Sequence, residues 1–241
     1  QIAKKLNQLN KKSLSKELLT AGMALAIDKP KTWTSFDVVN YFKKMTKVKV
    51  GHAGTLDPLA TGLLILCTGP FTKKIDQYQG MDKEYIGEFV IGATTPSFDL
   101  EKEISVFQKL ETLSAQKVKE VFDDFVGEQE QTPPIFSAKK LNGERAYLLA
   151  RDGKEPEMRK VNVIIHKLEL TSFEFNDGLW RLGFTLNCSK GTYVRSLARD
   201  VAKKLNSVGY LDNLRRTKIG NIDLHQAYSL EELREIIPSL T

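Results

Sequence analysis

Asp57 lies within Gly51-His52-Ala53-Gly54-Thr55-Leu56-Asp57-Pro58-Leu59-Ala60-Thr61-Gly62, a stretch with three glycines and a proline in twelve residues, and the apolar run Leu63–Cys67 follows directly. Glycines and a proline at this density make a tightly turned loop, and a buried element behind such a loop holds it still. A loop of that kind can present one carboxylate with precision. Taken alone, an Asp-Pro step is also ordinary turn composition. No second carboxylate is placed near Asp57 for the paired acid–base work of a hydrolase. Elsewhere the chemistry-bearing residues are sparse. The three histidines are scattered without metal-ligand spacing, and there is no phosphate-binding glycine loop. Cys67 and Cys188 each sit in an apolar stretch, as buried reduced thiols do. No metal and no cofactor are expected.

The elements around this loop are legible from periodicity. Met23–Ile27 reads as a strand; Pro30 breaks it, and Thr34 or Ser35 caps a helix with Val38, Val39, Phe42 and Met45 on its buried face. A second helix follows Ser114, with Val118, Val121, Phe122 and Phe125 as its stripe. A third runs from Thr192 to about Leu205, with Leu197, Ala198, Val201 and Leu205 on one face and Gly209 beyond its end. Trp180–Cys188 alternates strictly and reads as a half-buried strand. Val161–Leu170 extends to Phe173 and Phe175, and Asn176-Asp177-Gly178 turns it back as a hairpin. Strands and helices mix without regular alternation, which predicts an α+β fold on a largely antiparallel sheet flanked by helices and loops.

The chain has 241 residues, a hydrophobic content of 41% and a net charge of +6, values of an ordinary globular protein. The charge is segregated. Residues 1–75 carry 13 Lys/Arg against 4 Asp/Glu, residues 76–138 carry 5 against 13, and residues 139–220 carry 17 against 9. Two basic blocks flanking an acidic one suit a polyanion-binding face, though solvated lysine surfaces look the same. No apolar run is long enough to span a bilayer and no h-region follows the N-terminus, so a cytoplasmic protein without membrane contact is expected. Residues 1–21, with Lys4, Lys5, Lys11, Lys12 and Lys16, read as a basic arm or short amphipathic helix ahead of a domain spanning 22–241.

The segment from Gly51 to Gly62 closely resembles the signature of the TruB family of pseudouridine synthases, which modify the T loop of transfer RNA. The resemblance continues in order through Lys83-Glu84-Tyr85, Gln131-Thr132-Pro133-Pro134 with Ser137 to Lys140 and Tyr147, Gly191-Thr192-Tyr193-Val194-Arg195, and Leu214-Arg215-Arg216. It covers roughly residues 22–235 and has departures. Lys29-Pro30-Lys31-Thr32 carries Thr32 where the family commonly has glycine, so the turn after Pro30 is expected to differ. Ala53 replaces the usual Thr or Ser beside His52.

The resemblance implies the pseudouridine synthase fold and isomerisation of the uridine at position 55 of tRNA. In that reading Asp57 is the nucleophile, Tyr85 stacks on the target base, and Arg195 pairs with the catalytic carboxylate and favours its ionised form. His52 lies at the mouth of the pocket, Leu214 forms an apolar wall, and Arg215 and Lys29 join the substrate-binding set. Each has a plainer reading as well. Tyr85 is also a core strand tyrosine beside Phe89, His52 a turn histidine, Arg195 a helix-surface arginine, and Leu214 plain helix packing. A uracil stacked in a folded RNA must be flipped out to reach a buried aspartate, at about a few kcal/mol. The expected partner is the tRNA T stem-loop, with a monomeric enzyme and no obligatory protein partner. The additional C-terminal RNA-binding (PUA) domain of many members is not expected in the residues after Gly220. Two rivals stand beside this reading: the catalytic subunit of a guide-RNA-dependent pseudouridylation particle, and a non-catalytic tRNA-folding chaperone.

Overall fold

The computed structural model describes residues 14–137, 140–141, 144–145 and 158–237. The reading of Tyr147 and the lysines at 4, 5, 11 and 12 falls outside them. In chain order the elements are α1 (Lys16–Ala21), β1 (Ala24–Lys29), α2 (Ser35–Thr46), β2 (Val50–Ala53), β3 (Thr61–Thr68), α3 (Ile75–Gln79), β4 (Lys83–Ile91), β5 (Ala93–Thr94) and β6 (Val106–Phe107). There follow α4 (Ala115–Asp124), β7 (Gly127–Gln131), β8 (Lys140–Leu141), β9 (Glu144–Arg145), β10 (Val161–Asn176), β11 (Leu179–Cys188), α5 (Val194–Lys204), β12 (Gly209–Ile219), β13 (Ile222–Asp223) and α6 (Leu230–Ile236). The α+β class and the largely antiparallel sheet are as the sequence predicts. No helix among the described residues is long and apolar enough to cross a membrane.

The chain falls into two compact units, Gln1–Tyr85 with Leu214–Thr241, and Ile86–Asn213. In the first unit β1 and β3 pair antiparallel, from Ala24 opposite Cys67 to Lys29 opposite Gly62. Alternate residues of these strands enter different cores. Leu25, Ile27, Leu64 and Leu66 join Val38, Val39 and Phe42 of α2, while Ala24, Ala26, Leu63, Ile65 and Cys67 join Tyr78, Ile219 and Ile222. A sheet covered on both faces explains why Leu63–Cys67 is apolar without alternation. Leu14 and Leu19 also lie in the α2-side core, so residues 14–21 are packed against this unit. Both signals read at α2 hold: Thr34 forms a capping box with Asp37, and Val38, Val39 and Phe42 are buried.

In the second unit β10 pairs with β11 and, at its start, with β7, all antiparallel. The β10–β11 turn has positive φ at Asp177 (51°) and Gly178 (78°), the two-residue hairpin geometry that an Asp-Gly pair favours. Phe89 stacks on Phe184 with ring centroids 4.1 Å apart and meets Phe122 of α4 edge-on at 6.2 Å. The third predicted helix is α5, which begins at Val194, two residues later than read from Thr192. The Thr192 hydroxyl instead donates back to the Ser189 carbonyl and closes the turn that precedes the helix.

Candidate active site

The loop between β2 and β3 carries Asp57, and its confinement follows from the pairing of β3. One edge of β3 is taken by β1. On the other edge, β12 runs parallel to the start of the strand, with Arg215 opposite Thr61 and Arg216 opposite Gly62, and β2 pairs antiparallel with its later part, with His52 opposite Leu66 and Ala53 opposite Ile65. Between these partners the Leu63 carbonyl has no strand to accept from, and a buried carbonyl left so would cost about 1–3 kcal/mol. Arg216 supplies the donor. Its Nε donates to Leu63 O at 2.7 Å and its Nη2 to Gly54 O at 2.9 Å, so one buried guanidinium ties the entry of the loop to its exit. Gly62 is required at this crossing. Its φ is +100°, and a Cβ there would stand 2.4 Å from the Arg216 carbonyl oxygen.

Three further contacts fix the residues on either side of Asp57. The Ser35 hydroxyl, in the first turn of α2, donates to Leu56 O at 3.1 Å and accepts from Leu56 N at 2.9 Å. Beyond the aspartate, Pro58 O accepts from Thr32 N at 2.8 Å and from Lys29 Nζ at 3.2 Å. The Lys29 ammonium also donates to Pro30 O at 2.9 Å and Trp33 O at 2.5 Å. Asp57 O accepts from Ala60 N at 3.1 Å, which closes the turn after Pro58. Asp57 itself is part-exposed between the buried Leu56 and Ala60.

Lys29 is fully buried, and burial pushes its ammonium down to about 8. The charge of Asp57 opposes that shift, while Arg216 adds to it. His52 is held below the ordinary histidine range by burial and by the Arg216 charge, so its imidazole is neutral at pH 7. Its Nδ1 is buried without a hydrogen-bond partner among the described residues.

At Thr32, where the sequence departs from the family's common glycine, the backbone is left-handed, with φ 70°, although a β-branched side chain disfavours it. The hydrogen bond to Pro58 O and the Lys29 bridge over-determine that conformation.

Of the seven candidate residues, Lys29, His52, Asp57, Tyr85, Leu214 and Arg215 belong to the first unit, and Arg195 belongs to the second. Lys29, Asp57 and His52 lie on or against the loop. Tyr85 is buried at the start of β4. Leu214 is buried in β12 and is a strand residue, which corrects the helix-packing alternative. Arg215, about a third exposed, pairs through Nη2 with Asp28 Oδ2 at 2.6 Å and donates from Nη1 to Thr61 at 3.3 Å. In the second unit the buried Arg195 donates to Ser97 O at 3.1 Å and lies 3.6 Å from Asp99 Oδ2. Arg216 was not singled out in the sequence, where the two arginines look alike. Strand alternation distinguishes them: Arg216 shares the parity of buried Leu214, whereas Arg215 faces the other way.

Residues 42–194 match the TruB family pseudouridylate synthase (N terminal domain). A protein named tRNA pseudouridine synthase B from Parabacteroides distasonis is 48% identical over 224 residues, 90% of this chain and 94% of its own. Its namesake in Flavobacterium johnsoniae is 48% identical over 222 residues, 89% and 95% of the two chains. That of Caldanaerobacter subterraneus is 40% identical over 212 residues, 88% and 73%. Among solved structures, a chain in "Crystal Structure of a Cbf5-Nop10-Gar1 Complex" superposes with a TM-score of 0.68 at 22% identity, covering 95% of this chain and 57% of that one. This chain thus spans a little over half of that structure's chain, and at such identity the likeness shows the fold. The fold and the sequence match together define a pseudouridine synthase, an isomerase. The chain belongs to the TruB family of pseudouridylate synthases.

Proposed function

We propose that the chain converts uridine to pseudouridine in tRNA, at the T-loop uridine of position 55, with Asp57 as the nucleophile. The observation that carries this reading is the clamp on the Asp57 loop, in which Arg216, Lys29 and Ser35 hold the backbone on both sides of a part-exposed carboxylate. Relatives that this chain matches over nine-tenths of its length are named for action on tRNA, which supports the choice of substrate.

The reaction breaks the bond from N1 of uracil to C1′ of the ribose, turns the base, and forms a bond from C5 to C1′. The C5 proton is lost and N1 gains one, so neither an oxidant nor a group donor enters. An ionised carboxylate serves by attack at C1′, by attack at C6, or by assisting a glycal route. A fixed carboxylate gains in every case, because its orientation is set before the substrate arrives. The uridine reaches Asp57 only after extrusion from its stack, and Tyr85 is assigned to stack on it, a contact worth ~1–3 kcal/mol. His52 is neutral and half-buried beside the loop, and is assigned to take the place of the flipped base in the RNA stack. Lys29 acts through the loop, since its N–H groups are spent on three carbonyls. The counter-ion role of Arg195 rests on the sequence resemblance. The test is to incubate purified protein with unmodified tRNA transcript and map pseudouridine along it. Product at the T-loop uridine supports the proposal, and product confined to other positions overturns the assignment of site.

A further inference from the structure

The outer face of α2 carries an open depression of about 460 Å3, lined by Thr32, Trp33, Asp37, Asn40, Tyr41 and Lys44. The last four are spaced i, i+3, i+4 and i+7, so they form one stripe along the helix. Trp33 and Tyr41 meet edge to face with centroids 5.6 Å apart and give the depression an aromatic wall. Asn40 adds an amide able to donate and accept. Lys44 of the lining is exposed, as is Lys31, the residue before Thr32. The Asp37 carboxylate is committed to the cap, accepting from Thr34 N at 2.8 Å and Thr34 Oγ1 at 2.6 Å.

The position of this depression is fixed against the catalytic loop. Thr32, at its rim, donates to Pro58 O, and Lys29 bridges Trp33 O to the same carbonyl, one residue beyond Asp57. The strained φ of Thr32 is held by these contacts. We infer that this depression is a subsite for a nucleotide of the substrate RNA that neighbours the extruded uridine, its base against Trp33 and Tyr41 and its phosphate toward Lys44. The inference rests on the RNA-modifying reading above. The volume falls in the roughly 300–1,000 Å3 range of small-ligand sites, but the depression is open, so it suits a base delivered by a bound polymer better than a free metabolite. Aromatic faces accept any base, amides read base edges, and lysines meet phosphate as point charges.

The probe is a T stem-loop hairpin, and binding is read directly as Kd beside kcat/KM. Asn40→Ala combined with Lys44→Ala alters only the stripe, and Tyr41→Ala removes a ring that Tyr41→Phe restores. Each alanine variant should melt cooperatively, as the parent does, and bind the hairpin about tenfold more weakly, with kcat/KM falling in step, while Tyr41→Phe recovers most of the affinity. A hairpin carrying 5-bromouridine in its loop should cross-link to the peptide holding Trp33 and Tyr41. Unchanged Kd in the folded Asn40/Lys44 variant, or cross-links confined to peptides outside residues 31–44, would overturn the inference. A parent protein that binds the hairpin but forms no pseudouridine would sink the proposed reaction and leave the binding test of the subsite standing.

Discussion

Asp57 is flanked by residues whose backbone atoms are all spoken for, which separates what it does from what holds it. Replacing it with asparagine keeps the shape and removes the charge. Asp57→Asn should therefore abolish pseudouridine formation while hairpin affinity stays within about tenfold, because phosphate contacts dominate RNA binding. Substantial turnover by that variant, measured by product mapping, would remove Asp57 from the mechanism. Lys29 carries a second expectation. Its ammonium is lowered from 10.5 to about 8, chiefly by burial. Between those two values the unfolded chain holds this proton and the folded chain does not, so this group makes stability rise with pH across that window. Activity should move the other way. A neutral amine has two N–H groups for three carbonyls and places no cation beside Asp57, so turnover should fall as pH climbs through about 8. The Lys29 13Cε resonance of labelled protein, followed alongside the rate, should titrate near 8; a resonance unchanged to about pH 10 would refute the assignment.

The elements around the loop show how a sheet edge becomes a site. β3 has β12 and β2 as successive neighbours on one edge, and the interval between them is filled by a side chain. Arg216→Lys should leave Leu63 O or Gly54 O without a donor, since an ammonium cannot reproduce the fork. The expected loss is about 1–3 kcal/mol of stability, with a fall in kcat larger than any change in hairpin affinity. Equal turnover and melting would show the clamp to be dispensable. Thr32 gives the opposite sign. Left-handed strain of about 1–3 kcal/mol exceeds the ~0.5–1 kcal/mol entropy cost of glycine, so Thr32→Gly should raise stability by about 1 kcal/mol. A lower melting temperature would contradict that reading. Much of this scale was legible beforehand. The α2 cap, the buried stripe of α4 and the Asp-Gly hairpin follow from local patterns that tertiary packing does not override. The arginine clamp was not, because it depends on which strands neighbour β3, and adjacency of strands distant in sequence leaves no local trace. The three carbonyls around Lys29 were hidden for the same reason, since a Lys-Pro step shows neither its burial nor its partners.

Over the whole molecule, the chemistry-bearing loop and its clamp lie in one compact unit that is assembled from both ends of the described chain. β12 returns some 150 residues after β3 to lay Arg216 against Gly62. Charge blocks and the family resemblance pointed to RNA, but the charge pattern alone left solvated surface and polyanion face equivalent. The resemblance named Asp57, and the structure explains how a part-exposed aspartate is kept in place. On the proposed mechanism, an isomerisation run by one carboxylate needs no added group, and a small hairpin presents both the loop shape and a base that can be extruded. The most direct measurement is therefore incubation of the purified chain with a T stem-loop hairpin in EDTA, without guide RNA or any second protein, followed by mapping of pseudouridine. Product at the T-loop uridine is expected from the parent and none from Asp57→Asn; no product from the parent until a guide RNA or partner protein is added, or equal product from both proteins, would contradict a stand-alone Asp57-dependent enzyme.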